Sequence, residues 1–392
     1  MHLHNYEVFD KSFFNQQPRR KQRGMLFLPR NCTQVRIPFF RPNGRGMHPF
    51  GTNKKYFIEK DAKIKLFFIA VVALAFFSCA SIVPDETVYP KSPIPKDIIG
   101  ICHAGTPGSE QENVLLDELG ITWVRNDFRW NDIERSDGVW NFAGFDRIVE
   151  ANNKRGRKML GVLAFDTSWL HELYGGKTDA ISAQELPRYL AYVEKVVTRY
   201  KGKVEAWEIW NEPNVSVRFW TGSAKDFYAL SKAAAAKIRE CDPNAKIVAG
   251  AFWRVPARFI ENMFAYGAFA DVDAISFHPY AVNPAAVAHQ YDKFAALTKK
   301  MHFSGEIWVT EIGYPTGGMY PNRVSEKKLG SYIRDTFTAL ALRGARVIVW
   351  YHLKDNFTKD AIPKTFDSEK FFGLVYSDYE KKQGVIPFTD IL

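Results

Sequence analysis

The sequence predicts an α/β fold, a closed (β/α)8 TIM barrel, on three observations. From about residue 97 onward, short apolar runs alternate with amphipathic helical segments, the pattern of a parallel sheet with helical crossovers. Eight such runs fit in roughly 290 residues, near the usual size of this barrel. Two of them end on a glutamate, Glu212 and Glu311. A carboxyl where a strand gives way to a loop is where this fold places its chemistry.

The eight runs are Ile98–Cys102, Trp123–Asn126, Met159–Phe165, Val204–Trp210, Lys246–Gly250, Asp273–Phe277, Ile307–Thr310 and Arg346–Trp350. Helix starts lie between them. Ser109, Ser182 and Ser223 are each followed three residues later by an acid, Glu112, Glu185 and Asp226, so a hydroxyl can cap the first turn. The segment from Leu186 repeats Leu190, Val193, Val196, Val197 and Tyr200 at helical spacing, giving one face for the sheet. Gly120 and Gly156 follow helical segments where a left-handed cap is expected. A doubly wound open sheet would want a Gly-rich phosphate turn after its first strand, and Gly105-Thr-Pro-Gly108 does not supply one.

Composition narrows the function. The 392 residues are 46% hydrophobic and 15% aromatic, which describes a globular core. The net charge of +10 comes from the front of the chain, where residues 1–65 hold 14 Lys/Arg against 4 Asp/Glu. The remainder carries 39 of each sign and no basic surface cluster for nucleic acid. All ten tryptophans follow residue 120, which suits a domain that stacks on neutral, polyhydroxylated ligands. Cys32, Cys79, Cys102 and Cys241 form no disulfide framework, and Cys102 and Cys241 are expected to be reduced.

Four segments are expected: a basic extension over 1–62, a targeting segment over 63–79, a linker over 80–96 and a catalytic barrel over 97–392. Lys63 and Lys65 precede twelve apolar residues from Leu66 to Phe77, too few to span a bilayer and suited to the core of a secretory signal. Ser78-Cys79 at the end of that run resembles the lipobox of bacterial lipoproteins, which implies cleavage before Cys79 and its lipidation. A cell-envelope location, with a membrane partner through that lipid, is the expectation. The first 46 residues show no periodicity, and translation starting at Met47 is an alternative. Residues 80–96, rich in Pro and Ser, read as a tether.

The site motifs are specific. Trp210-Asn-Glu-Pro213 closes the fourth run and Thr310-Glu311-Ile-Gly the seventh. They resemble the motifs of the retaining glycosidases with (β/α)8 barrels, the superfamily called clan A, closest in flavour to families 39 and 5. The resemblance covers about residues 97–385. It implies that Glu212 is the acid/base and Glu311 the nucleophile of a glycoside hydrolase acting on a β-linked oligo- or polysaccharide. It also implies that Asn211 bonds the substrate 2-hydroxyl, that His278 binds substrate, that Tyr280 donates to the nucleophile, and that Trp350 floors the sugar subsite. Asn211 and Glu212 can both reach one pocket only if the chain leaves β geometry between them, because adjacent strand side chains point to opposite faces. Arg125 falls where the superfamily places an arginine at the end of strand two, and a buried cation beside Glu311 would favour its charged form. Glu208 shares strand parity with Glu212 but lies lower, so a paired structural carboxylate is expected there. Trp130, Trp169, Trp220 and Trp253 follow strands two to five, and Trp169 is taken as a further subsite candidate. Trp123, Trp207 and Trp308 read as core.

Neither a cofactor, a resident metal nor an obligate protein partner is expected; the expected partner is carbohydrate. A metal-dependent hydrolase using His103, His278 and His352 would need several ligands at defined spacing, and there is no His-x-His on the first strand and no His-Glu-x-x-His helix. Two readings stay open beside hydrolysis: transglycosylation by the same two glutamates, and a non-catalytic sugar-binding lipoprotein on a glycosidase scaffold.

Overall fold

The computed structural model describes residues 94–391, apart from residues 103–108, 177, 217 and 386. The expected extension, targeting segment and nearly all of the linker, with Cys32 and Cys79, lie outside the described residues, as does His103. Eight parallel strands close a barrel in chain order: β1 (Ile99–Cys102), β2 (Trp123–Asp127), β3 (Lys158–Leu163), β4 (Ala206–Ile209), β5 (Lys246–Trp253), β6 (Ala274–His278), β7 (Glu306–Ile312) and β8 (Ile348–Trp350). β1 pairs with β2 through Gly100–Trp123 and with β8 through Ile99–Ile348, which completes the ring. All eight expected strands are present, with ends shifted by a few residues.

Seven long helices follow the first seven strands: α1 (Glu110–Glu118), α2 (Ala143–Lys154), α3 (Leu186–Arg199), α4 (Ala224–Cys241), α5 (Ala257–Tyr266), α6 (Pro284–Lys300) and α7 (Glu326–Ala341). The Ser109 hydroxyl accepts from the Glu112 amide, and Ser223 does the same for Asp226. At Ser182 the arrangement is reversed. The Glu185 carboxylate accepts from the Ser182 amide at 2.7 Å, and α3 begins one residue later with Pro187 in its first turn. The inward face of α3 buries Tyr189, Tyr192, Val193, Val196 and Val197. Each fully buried valine of this kind stabilises the fold by about 1.5–3 kcal/mol relative to an exposed one. Gly120 and Gly156 adopt positive φ, as left-handed caps require.

Strand parity divides the core in two. Trp123, Leu160, Ala206, Val248, Ala274, Trp308, Val347 and Val349 fill the barrel interior, where Trp123 and Trp308 meet edge to face at 5.2 Å. Alternate residues, including Ile348 and Trp350, pack outward against the helices. Trp207 belongs to that outer layer, and its ring lies so near β3 that a Cβ at Gly161 would come within 2.5 Å of it. A short antiparallel hairpin, Glu134–Ser136 with Val139–Trp140, decorates the β2–α2 connection.

After β8 the chain runs through residues 351–385 as an irregular segment over the C-terminal ends of the strands. A buried ion pair, Asp355 with Lys382 at 2.6 Å, pins it, and Lys382 also donates to the Thr316 hydroxyl and the Phe371 carbonyl. Beside this pair, burial pushes His352 from 6.5 down to about 4, with the charge of Lys382 adding to the effect. The folded state therefore holds His352 neutral, while the unfolded chain takes up its proton on acidification below about pH 6.5. Its contribution to stability is complete above that value and is lost as pH falls toward about 4. Urea titrations across that window should show His352→Asn with a shallower acid loss than the wild type; identical slopes would remove His352 from the account.

Candidate active site

The site is assembled around Arg125 at the mouth of the barrel. Trp123 points inward, so Arg125 on the same strand does too, and the residue is 1% exposed. Its Nε donates to Glu208 at 2.7 Å, one terminal nitrogen to Glu311 Oε1 at 2.6 Å, and the other to Asn211 Oδ1 at 2.7 Å. Burial alone would favour loss of its proton, but the charges of Glu208 and Glu311 outweigh it and hold the guanidinium protonated well above its usual range. Glu208, fully buried, also accepts from the Ser276 hydroxyl at 2.6 Å, which makes it the paired structural carboxylate expected from its parity. Cys102 lies under the guanidinium at 3.7 Å, and burial pushes its thiol up to about 12, so it is a neutral floor.

β4 gives way at Trp210, where φ is 67°, and Glu212 follows with φ of 45°. Two left-handed residues in succession around Asn211 break the alternation of faces, so Asn211 and Glu212 both line the same cleft. The Glu212 amide is tied to the Ala251 carbonyl at 3.0 Å, which fixes the displaced backbone. Glu311 leaves β7 on the opposite side, with Oε1 on Arg125 and Oε2 accepting from the Tyr280 hydroxyl at 3.0 Å. Burial and the charge of Glu311 keep the Tyr280 phenol protonated. Glu212 and Glu311 are each 8% exposed, reachable through the cleft alone.

His278 sits beneath both carboxylates. Its Nδ1 is 2.8 Å from Glu212 Oε1 and 3.6 Å from Glu311 Oε2, and its Nε2 is 3.2 Å from the Thr310 hydroxyl. A Nδ1–H tautomer satisfies this pattern, with Thr310 donating to Nε2. One oxygen of Glu212, one oxygen of Glu311 and one His278 nitrogen lie within 4.8 Å of one another. His278 is fully buried and faces the acids, not the cleft. The structure thus places it as a positioning group where a substrate contact was expected.

Two of the expected tryptophans are elsewhere. Trp350 points outward from β8 into the helix layer, packed on Tyr314 and Phe337. The reason is parity: Val347 and Val349 face inward, so the next inward residue is Tyr351, which lines the cleft. Trp169, in the short helix Ser168–Tyr174, donates to the Glu134 carbonyl at 2.9 Å and packs edge-on against Trp130. It is loop packing. Arg125, Asn211, Glu212, Tyr280 and Glu311 are brought together as expected.

The cleft has a volume of about 380 Å³. Sequence reasoning left out several of its walls: Tyr351, Phe372, Glu369, Arg218 and Phe165, and it set Trp253 aside. Glu369 accepts from the Tyr320 hydroxyl at 3.2 Å, and burial raises its carboxyl above the usual range against the opposing charge of Arg218. Tyr351 could have been found by counting parity along β8. Glu369 and Phe372 arrive on the segment after β8, for which the sequence offers no periodic signal. Tyr351→Ala should raise KM several-fold with little loss of melting temperature, whereas Trp350→Phe should lower melting temperature and leave KM near wild type. Steady-state kinetics beside thermal melts separates the two; the reverse pattern would return Trp350 to the cleft.

Residues 98–248 match the family model of glycosyl hydrolase family 10. A β-xylosidase of Caldicellulosiruptor saccharolyticus is 29% identical over 171 residues, 38% of this chain and 35% of that one. A β-1,4-xylanase of Dictyoglomus thermophilum is 32% identical over 102 residues, 26% of this chain and 28% of its own. The chain thus spans about a third of the length of these curated relatives. In fold it is similar to a family 39 glycoside hydrolase from the gut symbiont Bacteroides cellulosilyticus WH2, with a TM-score of 0.60, 20% identity, and coverage of 74% of this chain and 62% of that structure. The expected likeness to family 39 is therefore found in the fold, while the sequence match falls to family 10. From β1 into β5 this chain carries the sequence pattern of glycosyl hydrolase family 10, on a closed barrel consistent with the retaining glycosidases of clan A.

Proposed function

We propose that this protein is a retaining glycoside hydrolase that cleaves a β-linked, xylan-type glycan by double displacement. The observation that carries the reading is the approach of the Glu212 and Glu311 carboxylates to within 4.8 Å, together with their different surroundings. Retaining enzymes hold their two carboxyls about 5–5.5 Å apart, and inverting enzymes need about 6.5 Å or more to seat a water between them. The names of the β-xylosidase and β-1,4-xylanase relatives point to the sugar.

In this mechanism Glu311 attacks the anomeric carbon as a carboxylate. Arg125 and Tyr280 hold one oxygen each, orienting it before attack and stabilising it as the leaving group when the intermediate is hydrolysed. Glu212 has one oxygen on His278 and the other open to the cleft, from which a proton can pass to the leaving oxygen. It then takes a proton from the incoming water. Asn211 spends its carbonyl on Arg125, which leaves its amide nitrogen to donate to a sugar hydroxyl. Glu212, His278 and Glu311 could also be read as a metal triad. Arg125 argues against that, since a guanidinium on Glu311 repels a second cation and both Glu311 oxygens already have partners.

Glu212→Gln is expected to lower kcat on xylo-oligosaccharides by about 10²–10⁴-fold, with Glu311→Ala at least as severe. NMR of the first-formed anomer should show β-product from a β-substrate. First-formed α-product would overturn the retaining assignment, and equal turnover by wild type and Glu311→Ala would favour a sugar-binding role. Added acceptor sugars diverting product into longer chains would favour transglycosylation by the same residues. We further propose that the protein works outside the cytoplasm, lipid-anchored at Cys79, on the strength of the residue pattern over 63–79. The mass of the mature N-terminus tests this: an unmodified terminus beyond Cys79 would refute the anchor.

A further inference from the structure

We propose that Arg218 and Glu369 grip one sugar hydroxyl from opposite walls, a specificity-determining pair that restricts the cleft to glycan stretches unsubstituted at that oxygen. The inference rests on the glycosidase reading and deepens it. β4 and β8 stand across from each other in the closed ring of eight strands. Arg218 lies on the loop after β4 and Glu369 on the segment after β8, and both line the cleft. The charge of Arg218 reaches Glu369, and both charges reach Tyr320 and Tyr351. Even so, the two form no ion pair among the described residues. Opposite charges held near each other but apart leave a gap for a small group that can satisfy both.

Both side chains are held in place with bonding capacity unspent. The Arg218 guanidinium lies over the Phe219 ring at 4.7 Å, and Phe219 stacks on Phe165 at 5.9 Å. The Phe219 carbonyl accepts from the Trp210 indole at 2.8 Å, which ties this platform to the turn that sets Glu212. No N–H donor of Arg218 has a hydrogen-bond partner among the described residues. On the facing wall, the Ser368 hydroxyl accepts from the Tyr320 amide at 2.8 Å, and the Tyr320 hydroxyl donates to one Glu369 oxygen at 3.2 Å. The other Glu369 oxygen accepts from no donor among the described residues. The charges of Glu311 and Glu212 also reach Glu369, which sets the pair over the sugar next to the bond. A hydroxyl fits this gap, since it gives its proton to a carboxylate while its lone pairs accept from a guanidinium. An ester or a branch at the same oxygen has no proton to give and leaves Glu369 unpaired. Sites built to bond a hydroxyl reject analogues lacking it far more strongly than apolar pockets reject a methylene. Ester hydrolysis or debranching must therefore supply this enzyme with its substrate.

The test is a double-mutant cycle in kcat/KM on xylotetraose, with thermal melts to report on folding. Arg218→Ala and Glu369→Ala should each lower kcat/KM by roughly 10–100-fold, the scale of one hydrogen bond to a charged group. Because both act through one hydroxyl, the double variant should be little worse than either single one. Arg218→Lys and Glu369→Gln, which keep a donor and an acceptor, should recover part of the loss. A series of monodeoxy xylotetraoses then locates the hydroxyl: one position should cost the wild type a similar factor and cost neither alanine variant anything further. Unchanged kcat/KM in the single variants, losses that multiply in the double variant, or equal losses along the whole deoxy series would overturn the assignment. Wild-type protein inactive on xylotetraose would instead overturn the glycosidase reading, and this inference with it.

Discussion

The site depends on one buried guanidinium. Arg125 joins β2 to carboxylates on β4 and β7 and to the amide of Asn211, so three parts of the barrel mouth share one rigid fork of donors. Two anions and one cation, buried together, would be costly if any were left over. Here the excess negative charge is offset by a hydrogen bond from Ser276 to Glu208, another from Tyr280 to Glu311, and the narrow opening of Glu311 to the cleft. Removing the arginine would leave Glu208 and Glu311 uncompensated, which in buried networks costs about 3–5 kcal/mol. Such an arrangement is a poor way to stabilise a protein and a good way to hold a carboxylate in one orientation.

Around that fork the two glutamates are made different by their surroundings, although they sit within 4.8 Å of the same imidazole nitrogen. Glu311 is met by a permanent cation and a phenol; Glu212 is met by the imidazole of His278. The left-handed backbone at Trp210 and Glu212 is the local cost of bringing the acid off the strand into this position, a pattern expected where function overrides propensity.

Much of this was legible in the residues because a barrel is periodic. Short apolar runs alternating with helical segments located all eight strands, and parity placed Glu208 on the interior, whereas Glu311 reaches it through a register shift on β7 between Val309 and Ile312. The resemblance gave the subsite to Trp350, although parity along β8, with Val349 inward, points to Tyr351. His278 was recognised as belonging to the site but not as lying under it, since depth along a strand end is set by neighbours such as Thr310 and not by spacing. Trp169 could not be told from Trp253 in sequence: what separates them is that the Glu134 carbonyl takes up the indole N–H of the first, while the second is part exposed on the cleft wall. The walls from Glu369 and Phe372 had no periodicity to betray them.

The irregular segment after β8 has a consequence for how this chain can diversify. It closes no strand pairing of the barrel and contributes neither of the two paired carboxylates, yet it supplies one side of the cleft, stapled to itself by the interior pair of Asp355 with Lys382 and tied to the barrel by bonds such as the Leu353 amide to the Cys102 carbonyl and Lys382 to Thr316. The family-matched residues end at 248, within β5, so this wall lies wholly in the unmatched half. Such a strap is free to be rewritten between those two anchors while the machinery below it stays intact. One wall of the cleft is thereby encoded in a stretch of polypeptide separate from the strands that carry the two carboxylates.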